Sequence, residues 1–130
     1  MIFVVKLYAK THPLFKARGQ YYKSEYLSAN KLNNMHYQAR NKVKQTWNEY
    51  LRLMAMQKKF KPLEVNTIFY VCYFEDERER DYSNYQAGIS KLVDDGIFGA
   101  RGDSYKNLVP KGIDFEYDPG NPRVEIYVNE

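Results

Sequence analysis

Asp81, Asn84, Lys91, Asp95 and Asp103 follow one another within a short span, directly after a strongly apolar stretch. Carboxylates, an amide and a lysine gathered at one strand end are the groups a divalent-metal site for phosphate chemistry uses. Mg²⁺ and Mn²⁺ take hard oxygen ligands in near-octahedral geometry, and two or three carboxylates complete the shell with water and a phosphate oxygen. Asp81 falls just past the strand end, Asp95 at the end of the next helix and Asp103 in the loop beyond it. The expectation is that all three converge at one end of a sheet, with Asn84 capping the helix or positioning Asp81 and Lys91 stabilising charge on phosphate. Glu79 points the same way as Asp81 on an extended segment and stands as a substitute ligand.

The elements that must position these groups follow from periodicity. Residues 2–8 read as a strand. Residues 10–34 are irregular, with a short ribbon expected near 20–26. In residues 35–57, Ala39, Val43, Trp47, Tyr50, Leu51 and Met54 recur at three- and four-residue steps, which predicts a helix. Pro62 stops the basic turn that follows. Residues 65–74, rich in Val, Ile, Phe and Tyr, predict a central strand. Residues 84–95 predict a short helix with Gly96 as its stop. Residues 113–117 and 123–128 alternate, and Asp118-Pro119-Gly120-Asn121-Pro122 between them predicts a hairpin. The sum is an α+β fold: a mixed or antiparallel sheet of about four strands, with two main helices packed on it.

The chain has 130 residues, the length of one domain. No apolar run reaches the ~18 residues of a membrane span, and the apolar first residues lack the flanks of a signal peptide. A single cysteine, Cys72, permits no internal disulfide and points to the cytoplasm. No Gly-rich phosphate loop or His/Cys cluster points to a nucleotide cofactor or zinc. The net charge of +4 hides an asymmetry: residues 1–62 hold 13 Lys and Arg against 2 Asp and Glu, and residues 63–130 hold 7 against 14. A basic half beside an acidic half suits a polyanion cradle next to a cation site. Arg40, Lys42, Lys44, Lys58, Lys59 and Lys61 stand in that basic half.

Three blocks, in order, resemble the RusA-like Holliday junction resolvases, many of them carried by phages and prophages. Residues 28–31, running on through His36 to Trp47, are similar to the family's Asn-containing loop and basic helix. Arg80-Asp81-Tyr82-Ser83-Asn84, with Lys91 and Asp95-Gly96-Ile97, resembles its Arg-Asp-x-Asp-Asn motif and lysine-bearing helix. Gly102-Asp103-Ser104 stands where the family has an Asp-Asp-Ser-like turn. The resemblance spans roughly residues 28–128. It implies a Mg²⁺- or Mn²⁺-dependent endonuclease that cuts branched DNA as a homodimer in recombination and repair. It also implies Asp81, Asp103 and Asp95 as ligands, Lys91 as the transition-state cation, and Asn30, His36, Arg40, Lys42, Lys44, Lys58, Lys59 and Lys61 as DNA contacts. Ser83 replaces the second aspartate of the motif and Gly102 the first of the turn. A cutting enzyme then needs a third ligand such as Asp95 or Glu79. The alternative is a non-cleaving, DNA-binding relative of the same fold.

Overall fold

A computed structural model describes residues 1–8, 19–99 and 106–130. Four strands and three helices run in the order β1 (Ile2–Lys6), α1 (Ala29–Asn33), α2 (Tyr37–Gln57), β2 (Asn66–Phe74), α3 (Tyr82–Phe98), β3 (Leu108–Tyr117) and β4 (Arg123–Val128). Two short 3₁₀ turns, Gly19–Tyr22 and Ser24–Leu27, precede α1 where the sequence suggested a ribbon. The sheet order is β1-β4-β2-β3, and the fold is mixed α+β as expected.

In α2, Val43, Trp47 and Leu51 at four-residue steps make the buried stripe. His36 starts the helix by accepting the Gln38 amide on Nδ1 at 3.2 Å. Lys58 caps its end, and Lys59 follows with a left-handed φ of 53°. The Trp47 indole donates to the Tyr21 carbonyl at 2.7 Å, which pins the first 3₁₀ turn to the helix. Truncating so fully buried an aromatic costs about 3–5 kcal/mol.

The expected hairpin is corrected. Residues 113–117 and 123–128 are strands, but β2 lies between them. It pairs with β3 in parallel and with β4 antiparallel. A strand as apolar as β2 is stable only with backbone partners on both edges, so the connection vaults over its end instead of closing locally. Asp118 N donates to Phe74 O at 2.9 Å, and Arg123 holds Asp118 across the vault at 2.8 Å. The β2–β3 register slips between Ile68 and Tyr70, opposite Gly112 with φ 119°, a conformation suited to glycine.

Both main helices pack on one face of the sheet. Phe3, Val5, Ile68, Tyr70, Cys72, Phe74, Val124 and Ile126 meet Trp47, Leu51, Ile89 and Leu92 there. Cys72 is a buried free thiol, and burial pushes its pKa up. Helix α3 is longer than expected, and Gly99 (φ 78°), not Gly96, ends it. Gly96 is there for proximity: a Cβ would come 2.7 Å from the Asn48 carbonyl of α2. At Gly88 a Cβ would lie 2.0 Å from the Leu27 carbonyl. Among the described residues no helix is long and apolar enough to cross a membrane.

Candidate functional site

Residues 75–80 carry the chain from β2 to α3, and an arginine clamp sets their path. The Arg80 guanidinium lies 3.7 Å over the Phe74 ring, and its side chain is 5% exposed. It donates to Asp76 Oδ1 at 2.8 Å and to the Asp76 and Arg78 carbonyls. Arg78 grips the other oxygen of Asp76 at 3.0 Å. Hydrogen bonds from Arg78, then from Arg80, hold the Asp76 carboxyl well below the usual range, against the opposing pull of desolvation. The clamped segment walls an open cleft of about 520 Å³ with Arg78, Glu79, Arg80, Asp81, Tyr82 and Phe115. Tyr82 stacks on Phe115 at 4.6 Å and 8°.

Asp81 is the N-cap of α3. Its Oδ1 accepts the Asn84 amide at 3.1 Å, which leaves its other oxygen facing an exposed surface. Asn84 does more than support Asp81. Its Oδ1 accepts the Asn30 backbone amide at 2.8 Å, and its Nδ2 donates to Ser28 Oγ at 2.9 Å. Ser28 caps α1 in turn, so one amide side chain fastens the N-termini of two helices together. Asn30 enters through its backbone. Beside this junction Lys31, Arg78, Arg80, Ser28 and Glu25 line a smaller cleft of about 200 Å³.

Asp81 and Asp95, two of the three expected ligands, do not gather as predicted. Asp95 lies fourteen residues beyond Asp81, near the far end of α3. At 1.5 Å per residue that is about 21 Å, too far for one ion to bridge. Asp95 is corrected to an exposed residue of the last turns, and its amide neighbour Gly99 N bonds the Asp95 carbonyl at 2.9 Å. Lys91 stands about 15 Å along the helix from Asp81, and its Nζ donates to Asn33 Oδ1 at 2.9 Å. It braces α1 in this structure. Asp103, with Gly102 and Ser104, lies outside the described residues. Among the described residues no three His, Cys, Asp or Glu side chains cluster closely enough to hold a metal. Glu79 and Asp81, which share one cleft, are the pair the structure brings together.

The DNA candidates scatter. His36 caps α2 and stacks on Tyr37 at 4.7 Å. Arg40 continues the Val43–Trp47–Leu51 stripe at its half-exposed N-terminal end and Lys44, one turn on, shares its side of α2, whereas Lys42 points some 160° away from Arg40 by helical periodicity. Lys58, Lys59 and Lys61 are exposed past the end of α2. The cations at the Asp81 junction are instead Arg78, Arg80 and Lys31. The signal for two of them was present in the sequence as Arg78-Glu79-Arg80-Asp81.

No protein-family model matches the chain, and no curated protein matches it. The functional reading therefore rests on the residues themselves.

A second cleft was not anticipated. About 470 Å³ in volume, it is walled by Tyr70, Ser83, Gln86, Ser90, Asp94 and Pro110. Asp94 is 6% exposed. Tyr70 donates its hydroxyl to Asp94 Oδ1 at 2.6 Å, and Ser90 donates to Oδ2 at 2.6 Å. Burial, then the Asp94 charge, drives the Tyr70 pKa far up, so the phenol stays a donor. Ser83, Gln86, Ser90 and Asp94 recur at steps of three, four and four, a polar stripe within α3 that marks this wall in the sequence. With both oxygens occupied, Asp94 is a fastener between α3 and β2. Ser83 sits exposed on the rim, turned to this cleft as well as following Asp81.

Proposed function

We propose that the protein is a divalent-metal-dependent endonuclease of four-way DNA junctions, acting as a homodimer in the cytoplasm. The observation that carries this reading is the exposed Asp81 carboxylate at the α3 N-cap, in one open cleft with Glu79, Arg78 and Arg80. Mg²⁺ is commonly held by one or two carboxylates plus water and substrate phosphate. Asp81 keeps an oxygen that its cap bond does not use and Glu79 shares the cleft, so the residues fit such an ion. Asp81 and Glu79 would hold it, with Asp103 as the third carboxylate implied by the family resemblance. When bound, the ion supplies an activated water and neutralises charge on the scissile phosphate.

The remaining work falls to the chain. Arg78 and Lys31 attract and orient the phosphate backbone at the cleft mouth. Arg80 contributes rigidity: its bonds to Asp76 and its seat on Phe74 hold the segment that presents Glu79 and Asp81. Asn84 keeps α1 and its Lys31 docked against the same corner. The reaction is hydrolysis of one phosphodiester in each of two opposed strands, which leaves 5′-phosphate and 3′-hydroxyl ends.

Ser83 favours a second reading, a relative that holds junctions without cutting them. A hydroxyl carries no charge and is a poor Mg²⁺ ligand where the resemblance expects a carboxylate. The test is incubation of the protein with a synthetic four-way junction and Mg²⁺. Paired nicks that vanish in Asp81→Asn and Asp103→Asn, with salt-sensitive junction binding retained in EDTA, support the nuclease. Binding without nicks supports the second reading. Identical products from wild type and both variants, or no junction binding, would overturn both.

A further inference from the structure

The cleft of Glu79 and Asp81 has an aromatic wall. Tyr82 lies flat on Phe115, with ring centroids 4.6 Å apart and planes 8° apart. The rings behind this pair meet edge-on instead. Phe115 contacts Phe74 and Tyr85, each at 77°, and Phe74 contacts Tyr85 at 80°. Arg80 covers a face of Phe74 at 3.7 Å. Edge-on contacts from two sides hold Phe115 in one orientation, and the ring stacked on it is oriented with it. Tyr82 is nevertheless 57% exposed. One of its faces is spent on Phe115, which leaves the opposite face open to the cleft that Tyr82 lines.

A bare π face at the end of a stack takes a further flat ring. The neighbouring groups select a ring that carries a phosphate. Asp81 precedes Tyr82 in the chain, and Arg78 and Glu79 line the same cleft. Uninterrupted duplex offers no such ring. Each of its bases is covered above and below by neighbours and shows protein only an edge. Single strands, flaps, gaps and open branch points do expose base faces.

We propose that Tyr82 is the platform for an unpaired nucleobase, which extends the Tyr82–Phe115 stack beside the phosphate drawn to Asp81. Recognition is by ring face and uses no base edge, so it is indifferent to base sequence. The phenolic hydroxyl has no part in it. Base binding stands by itself, but its consequence for the cut deepens the nuclease reading and rests on it. The bond that is cut adjoins a nucleotide whose base has left its stack. Uninterrupted duplex is then a poor substrate, and a branched molecule is cut where a strand is open.

Fluorescence anisotropy in EDTA, where no strand is cut, tests the platform apart from the reaction. The probes are an end-labelled oligothymidine of about 12 nucleotides and an abasic strand of the same length, which keeps the phosphates and lacks the bases. Wild type is expected to bind the base-bearing strand about tenfold more tightly than the abasic one. Tyr82→Ala abolishes that preference but leaves abasic binding and the salt slope unchanged, because the phosphate contacts remain. Tyr82→Phe keeps the preference to within about twofold, since the ring face is intact. Circular dichroism confirms folding. Tyr82→Leu, which keeps apolar bulk without a π face, should behave as alanine does and decides the matter if Tyr82→Ala is unfolded. Equal affinity of wild type for the two strands, an alanine variant that keeps the preference, or an equal loss on both strands would each sink the proposal. Ring-dependent strand binding by a protein that nicks no DNA in Mg²⁺ leaves the platform standing and removes the nuclease. Junction nicking with no base preference removes the platform and leaves the nuclease.

Discussion

The two ends of α3 differ in exposure and in what their carboxylates bind. Its first turn presents Asp81, Tyr82 and Ser83 to solvent, whereas from Gly88 onward Ile89, Leu92, Val93, Asp94, Gly96 and Ile97 are buried. The carboxylates follow the same division. Asp81 spends one oxygen on a single backbone amide, while Asp94 has both oxygens taken by hydroxyls at 2.6 Å. A buried, fully bonded carboxylate holds a fold together, and an exposed one with a spare oxygen is available to an incoming cation. One helix thus separates an open carboxylate from a cohesive one along its length.

Substitutions at each end break or sharpen that contrast. The largest effect is expected from Asp81→Asn. The amide oxygen still caps α3, so unfolding free energy stays within about 0.5 kcal/mol of wild type. Junction cleavage falls about 1,000-fold, near 4 kcal/mol in the barrier. Single-turnover kinetics beside thermal melts read both, and unchanged cleavage would show that the open end is not the reactive one. Gly88→Ala comes next. Alanine normally favours a helix, but here its Cβ meets the Leu27 carbonyl, and about 3 kcal/mol of stability should be lost in urea titrations. A gain in stability would mean that the packed end is looser than described. Tyr70→Phe deprives Asp94 of a donor and should cost about 2 kcal/mol with junction affinity unchanged. A change in affinity would join the two ends functionally.

The smallest effect concerns Asp76. Its folded-state pKa lies below the ordinary value near 3.9, so its contribution is present above about pH 4 and is lost as the pH falls below that. Asp76→Asn should lower stability by about 1 kcal/mol at neutral pH and flatten the acid limb of the stability curve. An acid limb of unchanged slope would show that the clamp on residues 75–80 draws its strength from the Arg80–Phe74 stack alone.

Much of the fold was readable where burial and period coincide. The strand expected at 65–74 is Asn66–Phe74, and the helix expected at 35–57 is Tyr37–Gln57. Errors arose where a residue's reason lies far away in sequence. Gly96 looked like a helix stop because glycine often ends helices, but its cause is the Asn48 carbonyl on another helix. Asp118-Pro119-Gly120 looked like a hairpin because turn chemistry is local, whereas the partner of each flanking strand is β2, some forty or more positions earlier. In the site, Asn84 was expected to begin the helix and to cap it or position Asp81, whereas Asp81 itself caps a helix that starts at Tyr82. Asp95 was chosen over Asp94 because spacing alone carries no sense of helix length or of which face is buried. The Ser83–Gln86–Ser90–Asp94 stripe was the available correction.

The pairing of β1 has a consequence for synthesis. Among the described residues its one partner in the sheet is β4, about 120 positions later in the chain, so β1 waits for β4 to be made. Until Arg123–Val128 leave the ribosome, Phe3 and Val5 have no ladder to join, and an apolar segment with unmade backbone bonds stays available to other chains. Closure spans about 120 residues, which raises the entropic cost of that step and slows it. The interval between making β1 and seating it is the period in which a nascent chain depends most on chaperone protection.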